Sequence, residues 1–148
     1  MANMLNCSMG EWPMKYLGIS ISPNRLGVSA FVGLGEKMEK KLEPWRGKHL
    51  SSGGRLVLID SCLSSLPMYI MDFYLLPKGV HETMDTKRSK FFWQGAGEDF
   101  KYHMAKMDTL CRPKNQGGVG MINTKIMNDC LLTKWIWKNH EGVYGNLV

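Results

Sequence analysis

The sequence predicts a mainly α domain: about four helices, a short N-terminal strand and minor irregular β near residues 100–121. Three observations carry that expectation. Apolar residues recur at steps of three and four along several stretches, the signature of one buried helix face. Proline and glycine breaks at Pro23, Pro44, Pro77 and Gly95 separate those stretches. Alternation of the β type is confined to one run ahead of Pro23.

The elements follow in order. KYLGISIS (Lys15 to Ser22) places Tyr16, Leu17, Ile19 and Ile21 among small residues, and Pro23-Asn24 ends it as a turn. It reads as one short strand or hairpin arm. From Val28, the residues Phe31, Leu34 or Gly35, Met38, Leu42 and Trp45 form an apolar stripe. Glu36, Lys37, Glu39, Lys40 and Lys41 fill the solvated face, and Pro44 closes the helix. HLSSGGRLVLID (residues 49–60) opens the strongest helical signal, with Leu56, Ile59, Leu63, Leu66, Ile70 and Phe73 in register. Ser51 or Ser52 is the N-cap, because a serine oxygen accepts the free N–H groups of a first turn. Pro67 is expected to kink or split this helix at about Leu66, having no N–H and crowding the preceding turn. A third helix spans Val80 to Trp93, carrying Val80, Met84, Phe91 and Phe92 beside basic Lys87, Arg88 and Lys90. Residues 98–121 read as short strands or a looped connection rich in glycine. A last helix runs from about Asn123 to Asn139, with Ile126, Cys130, Thr133 and Trp137 on one side and Met127, Leu131 and Trp135 nearby. Residues 1–12 and 140–148 are expected to fray.

A chain of 148 residues with 44% hydrophobic and 22% charged residues matches one ordinary globular domain and is too apolar for wholesale disorder. The twelve methionines point to a tolerant core or to a plastic surface. Cys7, Cys62, Cys111 and Cys130 form no C-x-x-C pair, which argues against a zinc knuckle. MANMLNCSMGEWP lacks the basic and apolar regions of a secretory signal, so reduced thiols inside a cell are expected. Met68 to Leu76 is too short, and interrupted by Asp72, to span a bilayer; no membrane partner is expected.

The net charge of +6 favours a polyanion, nucleic acid above all. Two segments concentrate it. Glu36 to Arg55 holds six basic against three acidic residues, and Lys87 to Lys114 holds seven against three. SSGGR has neither the spacing nor the lysine of a nucleotide-binding P-loop. A helix start still attracts phosphate through its free N–H groups and dipole. Arg46, Lys48, His49, Ser51, Ser52, Gly53, Gly54 and Arg55, joined by Lys114, are therefore the candidate nucleic-acid-binding residues. Two glycines in a first turn cost about 1 kcal/mol each against alanine, and close approach by another backbone would explain them. The four histidines have no partner at a metal spacing, no G-x-S-x-G elbow occurs, and no Asp-Asp pair offers a two-metal centre. No catalytic residue, metal or cofactor is expected. Trp93, Trp135 and Trp137 are of the type that stacks on bases. Their helical spacing places two of the three in the core.

The motifs P-M-K-Y-L-G-I (Pro13 to Ile19), W-R-G-K-H-L-S-S-G-G-R-L-V-L-I (Trp45 to Ile59), S-L-P-M-Y (Ser65 to Tyr69) and L-P-K-G-V (Leu76 to Val80) occur in order. F-F-W-Q-G (Phe91 to Gly95), C-R-P-K-N-Q-G-G-V-G (Cys111 to Gly120) and N-D-C-L-L-T-K-W-I-W (Asn128 to Trp137) follow. This series resembles the part of plant non-LTR (LINE-type) retrotransposon reverse transcriptases that follows the palm and precedes the zinc-binding region. The resemblance implies a strand at Y-L-G near the end of the polymerase core and a thumb helix opening at L-S-S-G-G-R, laid against a template–primer duplex. It also implies that the catalytic aspartates belong to a segment upstream of this one, so that this chain is a thumb and connection segment without polymerase activity. Two roles are open at this point. One is non-specific binding of a duplex or RNA–DNA backbone. The other is a co-opted small protein that binds a host protein through a methionine- and tryptophan-rich face. If the Tyr16 to Ile21 strand lacks a sheet partner, its open edge also invites self-association.

Overall fold

A computed structural model describes residues 12–16, 18–45, 50–94 and 102–144, with side chains described as far as His140. The architecture is mainly α with one two-stranded antiparallel sheet. Six α-helices replace the expected four among the described residues, because one predicted helix is split in two and an extra turn of helix forms near residue 108.

Strands β1 (Met14–Tyr16) and β2 (Ile19–Ile21) pair with each other, Met14 opposite Ile21 and Tyr16 opposite Ile19. The expectation of a strand left without a partner is thereby corrected. Gly18 makes the difference: its φ of +82° allows a two-residue turn and lets the chain fold straight back. Tyr74 docks the hairpin by donating its hydroxyl to the Ser20 carbonyl at 3.0 Å.

Helix α1 (Val32–Leu42) is flanked by 3-10 turns at Val28–Phe31 and Glu43–Trp45. The predicted stripe is the real one: Phe31, Leu34, Met38 and Leu42 are buried. Helix α2 (Ser52–Leu58) passes into a π-helical turn, Ile59–Leu63, in which the Ser64 N–H reaches back five residues to the Ile59 carbonyl at 2.8 Å. The break expected at Leu66 therefore begins earlier, at Ile59. Pro67 then opens the single turn α3 (Met68–Met71), where its missing N–H costs nothing. The wide π turn keeps both Ile59 and Leu63 fully buried.

Helix α4 (Lys78–Gln94) crosses the centre of the molecule, burying Val80, Met84, Phe91 and Phe92. Arg88 is on the same face and is 0% exposed. The sequence assigns it to a basic surface; it lies instead in the core. Its guanidinium donates to Asp85 Oδ1 at 3.0 Å and to the Ile122 carbonyl at 2.6 Å. Burial pushes the Asp85 carboxyl up from its usual range, and the Arg88 charge opposes that rise.

From Tyr102 to Asn123 no residue is in a strand, so the irregular β expected near 100–121 is replaced by turns among the described residues. Helix α5 (Met107–Leu110) is followed by a 3-10 turn at Lys114–Gln116. The Gly120 N–H then returns to the Arg112 carbonyl, while the Val119 and Met121 N–H groups both reach the Leu110 carbonyl. Gly117 has a φ of +78°. A Cβ on Gly118 would stand 2.0 Å from the Arg112 carbonyl oxygen. The glycines of this motif thus serve a turn that folds back on itself and delivers Met121 into the core at 1% exposure.

Helix α6 (Thr124–Tyr144) is longer than expected and turned the other way. Thr124 and Asn128 are buried, with Met127 and Leu131 packed against the core, whereas Ile126, Cys130, Thr133 and Trp137 face outward. Asn128 is 0% exposed. Its amide donates to the Met71 and Tyr74 carbonyls at 2.8 and 2.9 Å, and its oxygen accepts from the Leu76 N–H at 2.9 Å. These bonds satisfy backbone in the irregular segment between α3 and α4, which would otherwise be left unpaired. His81 sits beside Thr124, Nδ1 to Oγ1 3.1 Å, and burial lowers its pKa. Of the twelve methionines, Met38, Met71, Met84 and Met121 are almost wholly enclosed, in line with a tolerant core.

Two outcomes are expected. Gly118→Ala should destabilise more than Gly117→Ala in urea unfolding, because the first must displace backbone and the second costs only about 1–2 kcal/mol of left-handed strain. Acidification should weaken the fold as pH falls below the ordinary histidine value of 6.5, since the unfolded chain takes up a proton that buried His81 resists. Unfolding midpoints of His81→Gln measured from pH 7.5 to 5 should show a shallower decline than those of the parent.

Candidate nucleic-acid interface

The candidate site starts at Ser51, whose extended backbone (φ −63°, ψ 160°) ends the preceding run and admits the helix. Its Oγ accepts the Gly54 N–H at 3.2 Å, and its carbonyl accepts the Arg55 N–H at 3.0 Å. Ser51 is thus the N-cap, and Ser52 is the first helical residue. Ser51, Ser52 and Gly53 are exposed and Gly54 is half-buried. The opening turn of α2 is therefore exposed, and its Gly54 and Arg55 N–H groups are already taken by Ser51.

The glycines are not squeezed. A Cβ on Gly53 would find only the Ser51 hydroxyl at 3.9 Å, and one on Gly54 would meet Ser51 and Leu50 side chains at 3.6 Å or more. Among the described residues, no close backbone neighbour explains them.

Arg55 is half-buried and turned inward. Its Nε donates to the Leu50 carbonyl at 3.3 Å, and one terminal nitrogen donates to the Phe92 and Trp93 carbonyls at 2.8 and 3.3 Å. Those two carbonyls belong to the last turn of α4, where the outward C=O groups and the helix dipole attract a cation. Arg55 therefore latches the start of α2 to the end of α4. A guanidinium so engaged has fewer donors left for a phosphate.

Lys114 is exposed on the 3-10 turn that follows α5, on a different element from the α2 opening. Arg46, Lys48 and His49 lie outside the described residues. The structure thus brings Ser51 to Arg55 together as one helix start and ties Arg55 to α4. On α1, Lys37, Lys40 and Lys41 are exposed as the sequence predicts, while Lys87 of α4 is ion-paired to Glu39.

The exposed aromatic residues are elsewhere. Trp135 is 43% and Trp137 65% exposed, which corrects the expectation that two of the three tryptophans are in the core; only Trp93 packs against it. The sequence does hold the missing signal. Thr124, Asn128, Leu131 and Trp135 make a second stripe at steps of four, three and four, and two polar residues disguise it. Among the described residues, no three His, Cys, Asp or Glu side chains are grouped so that they could hold a metal ion. No helix there is long and apolar enough to cross a membrane.

Comparison with known proteins adds a plant relative. The chain is 34% identical over 114 residues to an Arabidopsis thaliana protein named "Putative ribonuclease H protein At1g65750". The match takes in 77% of this chain and 18% of the relative. The chain therefore spans about a fifth of the length of the curated protein it matches. No family model and no solved structure matches it.

The latch makes a prediction. Arg55→Ala should lower stability by about 1.5–3 kcal/mol, the scale of hydrogen bonds to a charged group, in chemical unfolding. Arg55→Lys should recover only part of it, because a single ammonium cannot serve the Leu50 carbonyl and the α4 carbonyls from two separate nitrogens as the guanidinium does.

Proposed function

We propose that this chain is a thumb and connection segment of a plant LINE-type reverse transcriptase, and that it binds the nucleic-acid backbone without sequence readout and without chemistry of its own. The observation that carries the reading is the ordered motif series from Pro13 to Trp137, one member of which forms the exposed, serine-capped opening of α2. The similarity to a plant protein with a ribonuclease H name supports a nucleic-acid setting.

The mechanism is electrostatic. Phosphate oxygens approach the N–H groups of Ser52 and Gly53, where the bare Cα of the glycine lets a backbone come close. Arg46, Lys48 and His49 lead into that turn in sequence, and Lys114 adds a further charge. Arg55 contributes by fixing the turn against α4 and is a positioning residue. Binding of this kind releases counterions and weakens steeply with salt. Phosphate contacts set position and carry no base information.

The test is fluorescence anisotropy of the purified chain with an RNA–DNA hybrid at two or more salt concentrations. The triple variant Arg46→Ala, Lys48→Ala, Lys114→Ala should weaken binding and reduce the slope of log K against log salt by about 0.9 for every phosphate no longer neutralised. An unchanged slope would overturn the reading.

A further inference from the structure

A cavity of about 190 Å3 lies between the β1–β2 hairpin, the start of α1 and the end of α3. Ile19, Phe31, Leu34 and Tyr74 form its apolar wall. Ile19, Phe31 and Leu34 are 8%, 7% and 4% exposed, so the cavity reaches the edge of the core. The Phe31 and Tyr74 rings meet edge to face with centroids 6.3 Å apart. The same Tyr74 holds the hairpin through its bond to the Ser20 carbonyl.

Lys15 of β1 and Lys37 of α1 also line the cavity. Both are exposed, and neither is in an ion pair among the described residues. No carboxylate is in the lining. Three and four residues from Lys37 along the helix stand Gly33, Leu34, Lys40 and Lys41, and Ser20 is opposite Lys15 on the sheet. The acidic groups of the neighbouring elements are committed or set apart. Glu39 is paired with Lys87 and Asp72 with Lys134, and Glu36 lines a separate cavity toward α4. Glu43 is six residues past Lys37, about 9 Å along the helix axis.

Gly33 helps to keep the space open. It is in the first turn of α1, and a helical glycine costs about 1 kcal/mol against alanine. No atom stands within 4 Å of the Cβ it lacks, so packing gives no reason for the bare Cα.

Volume and charge together define the occupant. A cavity of about 150 Å3 houses benzene, so this one takes a single ring with one substituent. The ring would lie against Phe31 and Tyr74. An anionic substituent would meet two ammonium groups that the described chain leaves unmatched. A phosphate monoester, carrying nearly two negative charges at neutral pH, matches the pair better than a carboxylate does.

We propose that this cavity binds a small free aryl phosphate, its ring against Phe31 and Tyr74 and its anionic group held by Lys15 and Lys37. The site shares no residue with the α2 opening and does not rest on the reading of that turn.

The experiment titrates phenyl phosphate into the 15N-labelled full chain and follows the amide resonances. Saturable shifts are expected at Ile19, Gly33, Leu34 and Tyr74. The Lys15→Gln, Lys37→Gln double variant should bind about 2- to 30-fold more weakly, the worth of two exposed ion pairs, and Lys125→Gln should bind as the parent does. Benzyl alcohol, a neutral molecule with the same ring, should lose affinity by a similar factor against the parent. Gly33→Leu should abolish the shifts, and a melting temperature no lower than the parent's checks that it folds. Capped phosphotyrosine, the same group on a peptide, should bind more weakly, because the cavity has no room for its backbone; tighter binding would overturn the assignment to a free ligand. Equal affinity of the double variant and the parent would overturn the proposal, as would equal affinity for benzyl alcohol or retained shifts in Gly33→Leu. Absence of saturable shifts, with weakened RNA–DNA hybrid binding by the double variant, would give the two lysines to a nucleic-acid backbone and overturn it as well.

Discussion

The fold depends on one buried cation. Arg88, in the middle of α4 and wholly enclosed, reaches both Asp85 on its own helix and the Ile122 carbonyl at the entry to α6. A charge in that position is tolerated only with partners, because removing it from water costs several kcal/mol before any interaction offsets it. The bond to Ile122 ties the end of the irregular 111–122 segment to α4. Asp60, on the π turn, approaches the Ile122 N–H at 3.4 Å from the other direction. Both backbone groups of Ile122 are thus held by side chains from two different helices.

Around this centre the same device recurs: polar side chains secure backbone that regular structure leaves unpaired. Asn128 does so for the 71–76 segment, Arg55 for the end of α4, and Tyr74 for the hairpin. This is how a chain with several single-turn helices and 3-10 turns stays ordered. The turns around Lys114–Gln116 close on their own backbone, whereas the hairpin, the 71–76 segment, the end of α4 and Ile122 are met by side chains from distant parts of the sequence.

That long range explains what the sequence makes legible and what it conceals. The stripe of α1 and the serine cap of α2 are local features, and both are realised as read. Arg88 falls on the stripe Val80, Met84, Arg88, Phe91, at steps of four, four and three, but its charge argues for the surface when spacing alone argues for burial. Helix α6 carries two candidate stripes, and periodicity has no means of choosing between them. The choice rests on Asn128, whose partners are more than fifty residues away. At the candidate site, the exposed turn from Ser51 to Gly53 follows from composition. The inward course of Arg55 does not, because nothing near residue 55 reports where the carbonyls of Phe92 and Trp93 will end.

Asn128 has a geometric effect beyond its own neighbourhood. Three hydrogen bonds from one amide fix both the axial register and the rotation of α6 against the segment after α3. A helix is stiff over a few turns, and the nine residues from Asn128 to Trp137 span about 13 Å at 1.5 Å each. The amide therefore works as the pivot of a lever arm. A turn of one residue at the pivot would swing the far tip by about 100°, so the azimuth of the outermost indole is decided deep inside the protein.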